Sequence, residues 1–230
     1  MKLYVVRHGQ STHNANQDIP HDPDPPLTQL GREQARITGD ALRDAGLNAA
    51  ALYASPQRRA LQTVSVLQQA LQLAPHILPD LCEAGGLREH SGLYRQEILR
   101  EWPNATLDDR ITDQGWWTGG LTEDDEAVYY QRAARAVGLL RARHGENEDT
   151  IIVVTHGRFG SALLSTLLGL GPAGYHRCPL DNCAISRVDF DPHEKVGYGP
   201  PLSPGNDERL YAVRLRLHNQ TGHLPPSHRT

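Results

Sequence analysis

Two kinds of apolar pattern alternate along the chain: short unbroken runs, and longer stretches in which apolar residues recur at helical spacing. The runs "KLYVV" (2–6), "AALYAS" (50–55) and "TIIVVTHG" (150–157) read as strands buried on both faces, the last apolar and β-branched as a central parallel strand should be. "HILPDL" (76–81) reads as a further strand. Between them, "TQLGREQARITGDALRDAG" (28–46) predicts a helix capped by Thr28 and stopped by Gly46. "SPQRRALQTVSVLQQAL" (55–71) predicts another, with Ser55 as N-cap, Pro56 at the first helical position, and Ala60, Leu61, Val64, Leu67 and Leu71 on one face. A long helix is expected over 122–145, opened by Thr122 with Asp125 three residues on and ended at Gly145, and a shorter one in "RFGSALLSTLLGL" (158–170).

The last third changes character. "CAISRVDF" (183–190) and "LYAVRLRLH" (210–218) flank a Gly/Pro-rich loop across 192–207, and Tyr211, Val213, Leu215 and Leu217 alternate with polar residues. That pattern predicts an antiparallel edge pair. Residues 94–122 hold a short helix ending near Trp102-Pro103 and then irregular chain around "DQGWWTGG", a stretch expected to act as a cap or insertion whose tryptophans either roof a pocket or anchor the core. Strands alternating with helices predict an α/β fold around a mostly parallel sheet, as one domain over residues 1–230.

Composition narrows the function classes. A chain of 230 residues with 38% hydrophobic and 22% charged residues is globular rather than disordered. A net charge of −4 argues against general nucleic-acid or anionic-membrane binding. No run approaches the ~18 apolar residues of a membrane span, and the N-terminal run is too short for a signal peptide. Cys82, Cys178 and Cys183 form no C-x-x-C pair, so a cytoplasmic protein with reduced thiols is expected.

In an open α/β sheet, ligands bind beyond the carboxyl ends of the strands. Arg7-His8, Ser55 to Arg59, Glu83 and Thr155-His156-Gly157 all fall at such ends and would share one crevice. Arg58 and Arg59 at a helix start are disfavoured by the dipole unless an anion sits between them and the free N–H groups. A neutral histidine beside such an anion can attack phosphorus, and a second can donate to the phosphoryl oxygens. Glycine after each histidine (Gly9, Gly157) permits a sharp turn or close approach to a ligand. Glu83 is the candidate general acid.

Taken together, "VVRHGQSTHN" (5–14), "PLTQLGREQA" (26–35), "SPQRRALQT" (55–63), "LCE" (81–83) and "VVTHG" (153–157) resemble the histidine phosphatase superfamily, the phosphoglycerate-mutase-like proteins, with "PLDNCAISRVDF" (179–190) also familial. The resemblance implies a three-layer α/β/α sandwich and a phosphohistidine on His8. It implies a phosphate pocket of Arg7, Arg59 and His156, with Asn14 and Gly157 as further contacts, and Glu83 as proton donor. "EAGGLREHSG" is slightly longer than the family pattern, which leaves Glu89 as the alternative acid. "ANQDIPHDPDPP" (15–26) lacks the tryptophan segment of the mutase branch, and the tail "LHNQTGHLP" resembles the phosphatase branch; both favour hydrolysis over mutase chemistry. The expected protein is thus a phosphomonoesterase with no cofactor or metal, acting on a small phosphate ester as a monomer or homodimer. The closest alternative is a cofactor-dependent phosphoglycerate mutase, and three further rivals stand beside it. They are a cysteine phosphatase on Cys82 with Arg88, a metallohydrolase, and a non-catalytic phosphate-binding module.

Overall fold

The computed structural model describes residues 1–16, 22–87, 90–117, 126–145, 147–170, 178–195 and 211–230. Its strands are β1 (Lys2–Arg7), β2 (Ala51–Ala54), β3 (Pro75–Ile77), β4 (Thr106–Leu107), β5 (Thr150–Thr155), β6 (Ile185–Lys195) and β7 (Tyr211–Gln220). Its α-helices are α1 (Thr12–Ala15), α2 (Gln29–Asp44), α3 (Arg58–Leu71), α4 (Arg95–Glu101), α5 (Glu126–His144) and α6 (Gly157–Leu167). The strands form one sheet in the order β4-β3-β2-β5-β1-β6-β7. The run β4-β3-β2-β5-β1 is parallel, and β6 and β7 add an antiparallel edge.

The apolar runs explain the layering. Side chains alternate across a strand, so Ile151 and Val153 of β5 pack with α5 and α6 residues such as Ala133, Leu140 and Phe159. Ile152 and Val154 pack on the other face with Leu61, Val64 and Leu67 of α3. The sheet is therefore sandwiched between two helical layers, as expected. Parallel register sets Arg7 beside Thr155 and Ala54 beside Val154, which brings the carboxyl ends of β1, β2 and β5 level with one another.

Some expectations shift. α3 begins at Arg58 with Gln57 as N-cap, so Ser55 is not the cap: its hydroxyl is used elsewhere, as described below. "HILPDL" is strand only through Ile77, after which Pro79–Leu81 forms a 3-10 turn. β6 runs past Phe190 to Lys195, and the rest of the expected Gly/Pro loop lies outside the described residues. Leu215 and Leu217 alternate as predicted but stay about 40% exposed (41% and 40%), since among the described residues β7 pairs on one side only. Thr28 caps α2 by accepting from Gly31 N. Thr122 and Asp125 lie outside the described residues.

The 94–122 stretch gives α4 and then β4, which extends the sheet beside β3; residues 118–122 lie outside the described residues. Trp102 and Trp116 are buried in the α3-side core and Trp117 packs against it, so these are anchors of the core. Among the described residues no helix is long and apolar enough to cross a membrane. Cys82, Cys178 and Cys183 are buried and none is in a disulfide.

Candidate active site

The level strand ends place the two histidines side by side. His8 follows β1 and donates its backbone N–H to Thr155 O at 2.9 Å, and its ring centroid lies 5.1 Å from that of His156. Both rings are buried. The Nδ1 of His8 meets its neighbour's carbonyl, Gly9 O, at 2.6 Å. A carbonyl accepts only, so Nδ1 carries the proton and Nε2 the lone pair. Arg59 fits that polarity by donating its Nε–H to His8 Nε2 at 3.1 Å. Burial, and then the Arg59 and Arg7 guanidiniums, hold His8 well below the ordinary histidine range, so the ring is neutral.

His156 is oriented through its other nitrogen. Its Nε2 is 2.8 Å from Ser55 Oγ, while its buried Nδ1 has no partner. Burial chiefly, with Arg59 next, keeps this ring neutral too. Ser55 thus spends its hydroxyl on His156 and on Gln57 N (3.2 Å) instead of capping α3 as a whole.

Two guanidiniums bracket the histidines. Arg59, in the first turn of α3, is 8% exposed. Arg7 donates from Nη1 to Leu180 O at 2.6 Å and leaves a buried Nε without a partner. Burial weakens the charged form of both, and for both the leading opposing influence is the Glu83 carboxylate. The predicted set of Arg7, His8, Arg59, Glu83 and His156 is therefore brought together.

Glu83 follows the 3-10 turn and leans on the start of α6. Its Oε1 accepts from Ala84 N and Phe159 N, both at 2.8 Å, whereas Oε2 has a longer contact, 3.4 Å, to Arg158 N. Glu89 and Arg88, the alternative acid and the partner of the rival Cys82 mechanism, lie outside the described residues. Asn14 takes part in the α1 capping box, its Oδ1 accepting from Ser11 and, at 3.2 Å, from Asn182 Nδ2. Gly157 opens α6, where an added Cβ would lie 3.4 Å from Arg7 Nε.

Several residues that build the site carry no clear mark in the sequence. Thr63 Oγ1 accepts from Gly9 N (3.1 Å) and donates to Arg59 O (2.7 Å), which ties the histidine loop to α3. Asn182 Nδ2 donates to His8 O at 2.9 Å. Gln57 Oε1 accepts from Glu83 N at 2.7 Å. Arg132, buried on the apolar face of α5, donates to the carbonyls of Asp80, Cys82 and Glu83 and lies over Phe159. Here an arginine on the stripe of Tyr129, Ala133 and Ala136 is a readable signal. Asp24, between two prolines, accepts from Arg58 N at 2.8 Å and stands 3.8 Å from Arg59 Nη1.

Comparison with known proteins places the chain in a family and the fold among known ones. The sequence matches the model of the histidine phosphatase superfamily (branch 1) over residues 3–197. It is 27% identical over 216 residues to a Yersinia pestis protein named as a probable phosphoglycerate mutase, GpmB, covering 90% of this chain and 93% of that one. The fold is similar to a mycobacterial glucosyl-3-phosphoglycerate phosphatase solved with VO3 (TM-score 0.64, 22% identity, 95% and 98% of the two chains). It is also similar to an Entamoeba histolytica phosphoserine phosphatase solved with 3-phosphoglyceric acid (TM-score 0.63, 22% identity, 97% and 99%). The chain belongs to the histidine phosphatase superfamily.

Proposed function

We propose that the protein hydrolyses small phosphomonoesters in two steps through a phosphohistidine on His8, with no metal. The observation that carries the reading is the fixed tautomer of His8. Gly9 O holds Nδ1–H, so the nucleophilic lone pair is on Nε2, directed at a guanidinium that can exchange that bond for a phosphoryl oxygen. Arg7 and Arg59 supply the positive charge that spreads over the phosphoryl oxygens in the transition state, and a dry pocket makes that charge effective. Two guanidiniums at the phosphoryl site would repel a metal cation placed there.

His156 serves as a further donor when its orphan Nδ1, carrying the proton of the neutral ring while Nε2 pairs with Ser55, meets the substrate. Glu83, anchored through Oε1, uses Oε2 to protonate the leaving oxygen and then to take a proton from the water that cleaves phosphohistidine. Asn14 and the Gly157 amide are assigned as outer contacts of the phosphoryl group. A cleft of about 500 Å³ lined by Asp22, Asp24, Arg58, His90, Tyr94 and Glu97 among others adjoins the site through Asp24, 3.8 Å from Arg59, and is the place assigned to the leaving group.

A second reading, mutase chemistry, is favoured by the name of the Yersinia relative. There the phosphoryl group would return to a bound acid instead of water. The neighbours named as phosphatases weigh toward hydrolysis.

One screen tests both readings. Purified protein is offered phosphoglycerates, sugar phosphates, phosphoserine, nucleotides and phosphopeptides in chelator, and free phosphate and isomerised product are recorded together. Release of phosphate with a base-stable, acid-labile phosphoenzyme is expected. Isomerisation without net release would establish the mutase. Turnover that persists in His8→Ala, or that needs metal to be restored, would overturn the mechanism.

A further inference from the structure

The phosphoryl pocket as proposed already contains an anion of its own, and that raises the question of how it admits another. Asp24 lies between Pro23 and Pro25, whose rings restrict the backbone on both sides of it. Its Oδ1 accepts from Arg58 N, the first amide of α3, and faces Arg59 Nη1 at 3.8 Å. Its Oδ2 is buried with no hydrogen-bond partner. The carboxylate thus holds the helix start and the guanidinium that an incoming phosphoryl group would use.

We propose that Asp24 is the proton gate of the phosphoryl pocket: when a dianionic phosphoryl group enters, the carboxylate takes up a proton on Oδ2 and stays in place as a neutral acid. The inference rests on the reading of Arg59 as a phosphate ligand. With a dianion bound, the charges of Asp24 and of the phosphoryl group would crowd around Arg59. Like charges in a dry site are relieved most cheaply by protonating one of them.

Asp24 is the group best placed to accept that proton. Burial already pushes its carboxyl up to about 6, against the opposing pull of Arg59 and of the Arg58 amide and guanidinium. Asp22, on the same turn, adds to the rise. Across Arg59 lie His8 and His156, both held well below the ordinary histidine range and therefore poor proton acceptors, and Glu83, whose Oε1 is committed to backbone amides. His90 and Glu97 line the same cleft as Asp24. The step balances simply: one proton from solvent, or from the monoanionic form of the substrate, is bound as the dianion is bound.

Calorimetry with inorganic sulfate, a dianion throughout the working range, isolates this step from turnover. Sulfate is titrated at pH 7 in buffers of different ionisation enthalpy, which counts the protons taken up. The wild type is expected to take up close to one proton more than Asp24→Asn. Its affinity should fall up to about tenfold per pH unit above 6 by comparison with that variant. Asp24→Ser, which keeps an acceptor for the Arg58 amide, should behave like Asp24→Asn. Equal proton counts in wild type and variants overturn the proposal. So does a loss of sulfate affinity in Asp24→Asn at every pH, which would make Asp24 an ionised anchor for Arg59. Failure of the wild type to bind sulfate at all, with calorimetric phosphate equally silent, would instead overturn the phosphate-site reading beneath it.

Discussion

The exits of β1 and β5 carry the same dipeptide, His-Gly, on neighbouring parallel strands, yet the two are built in opposite senses. At the first exit Nδ1 of His8 is tied to its own loop and Nε2 is presented to Arg59. At the second, Nε2 of His156 is tied to Ser55 and Nδ1 is the orphan. The glycines differ as well. A Cβ on Gly9 would stand 2.3 Å from Gly31 O, inside hard contact with the backbone of α2, whereas one on Gly157 would meet only the Arg7 side chain at 3.4 Å. Neither glycine has a positive φ, so the sharp turn expected from the sequence is not why glycine stands at either place. Gly9 is there because the histidine loop passes close over α2. An identical motif can therefore hide a nucleophile and a donor, and what separates them is the partner of each ring.

The sharpest break of this asymmetry is at the rings. His8→Ala is expected to abolish both turnover and the phosphoenzyme, because no other neutral histidine there presents Nε2 to the pocket. His156→Ala should still form the phosphoenzyme, with single-turnover phosphorylation slowed roughly 10²–10³-fold as for the loss of one transition-state donor. Equal losses in rapid-quench measurements, or a labelled enzyme in His8→Ala, would reverse the two assignments.

Gly9→Ala comes next. Backbone of α2 cannot give way as a flexible side chain would, so overpacking should cost about 1–3 kcal/mol of stability in urea unfolding and displace His8 with it. An unchanged midpoint would mean the close pass over Gly31 is not a constraint.

Acid treats the two exits alike. Both rings are held neutral by burial, with folded values below the unfolded 6.5. Above that pH neither binds a proton in either state, and the full stability is present. As pH falls below about 6.5 the unfolded chain takes up protons that the folded chain refuses, so stability drops by up to about 1.4 kcal/mol per unit per ring. His8→Gln and His156→Gln should each flatten the urea-midpoint profile between pH 6.5 and 5; a profile unchanged by either would show that ring to be charged in the fold.

Much of this arrangement is legible in the amino-acid order alone. The strand ends that carry Arg7, His8, Ser55 and His156 are marked by unbroken apolar runs, and parallel pairing then puts those ends level. What stays hidden depends on long-range contacts with no local signature. Ser55 carries every local mark of an N-cap, yet the demand of the buried His156 ring for a partner wins its hydroxyl. Asp24 sits in "DPDPP", which reads only as turn, because nothing local tells of an α3 amide 34 positions on in the chain. Thr63 and Asn182 reach the histidine loop across 54 and 174 positions. Glu83 is legible as a residue but not as a geometry, since its lean on α6 depends on how the 3-10 turn and that helix meet.

Gly157→Ala is the mildest way to probe the two exits and the most informative about the second. The position is the first of α6, with His156 as N-cap, so a methyl suits the local backbone. It should lower the entropy of the unfolded chain and raise stability by about 0.4–1 kcal/mol, provided the guanidinium of Arg7 yields a few tenths of an ångström. Arg7 is held at Nη1 by Leu180 O, so its free Nε is the part that must move. The expected result is a slightly raised urea midpoint with kcat/KM lowered, since the methyl presses on a guanidinium that the phosphoryl group needs in the transition state while His8 stays in place. An unchanged kcat/KM would show that Arg7 yields to the methyl without loss and that the packing of the second exit does not bear on the chemistry.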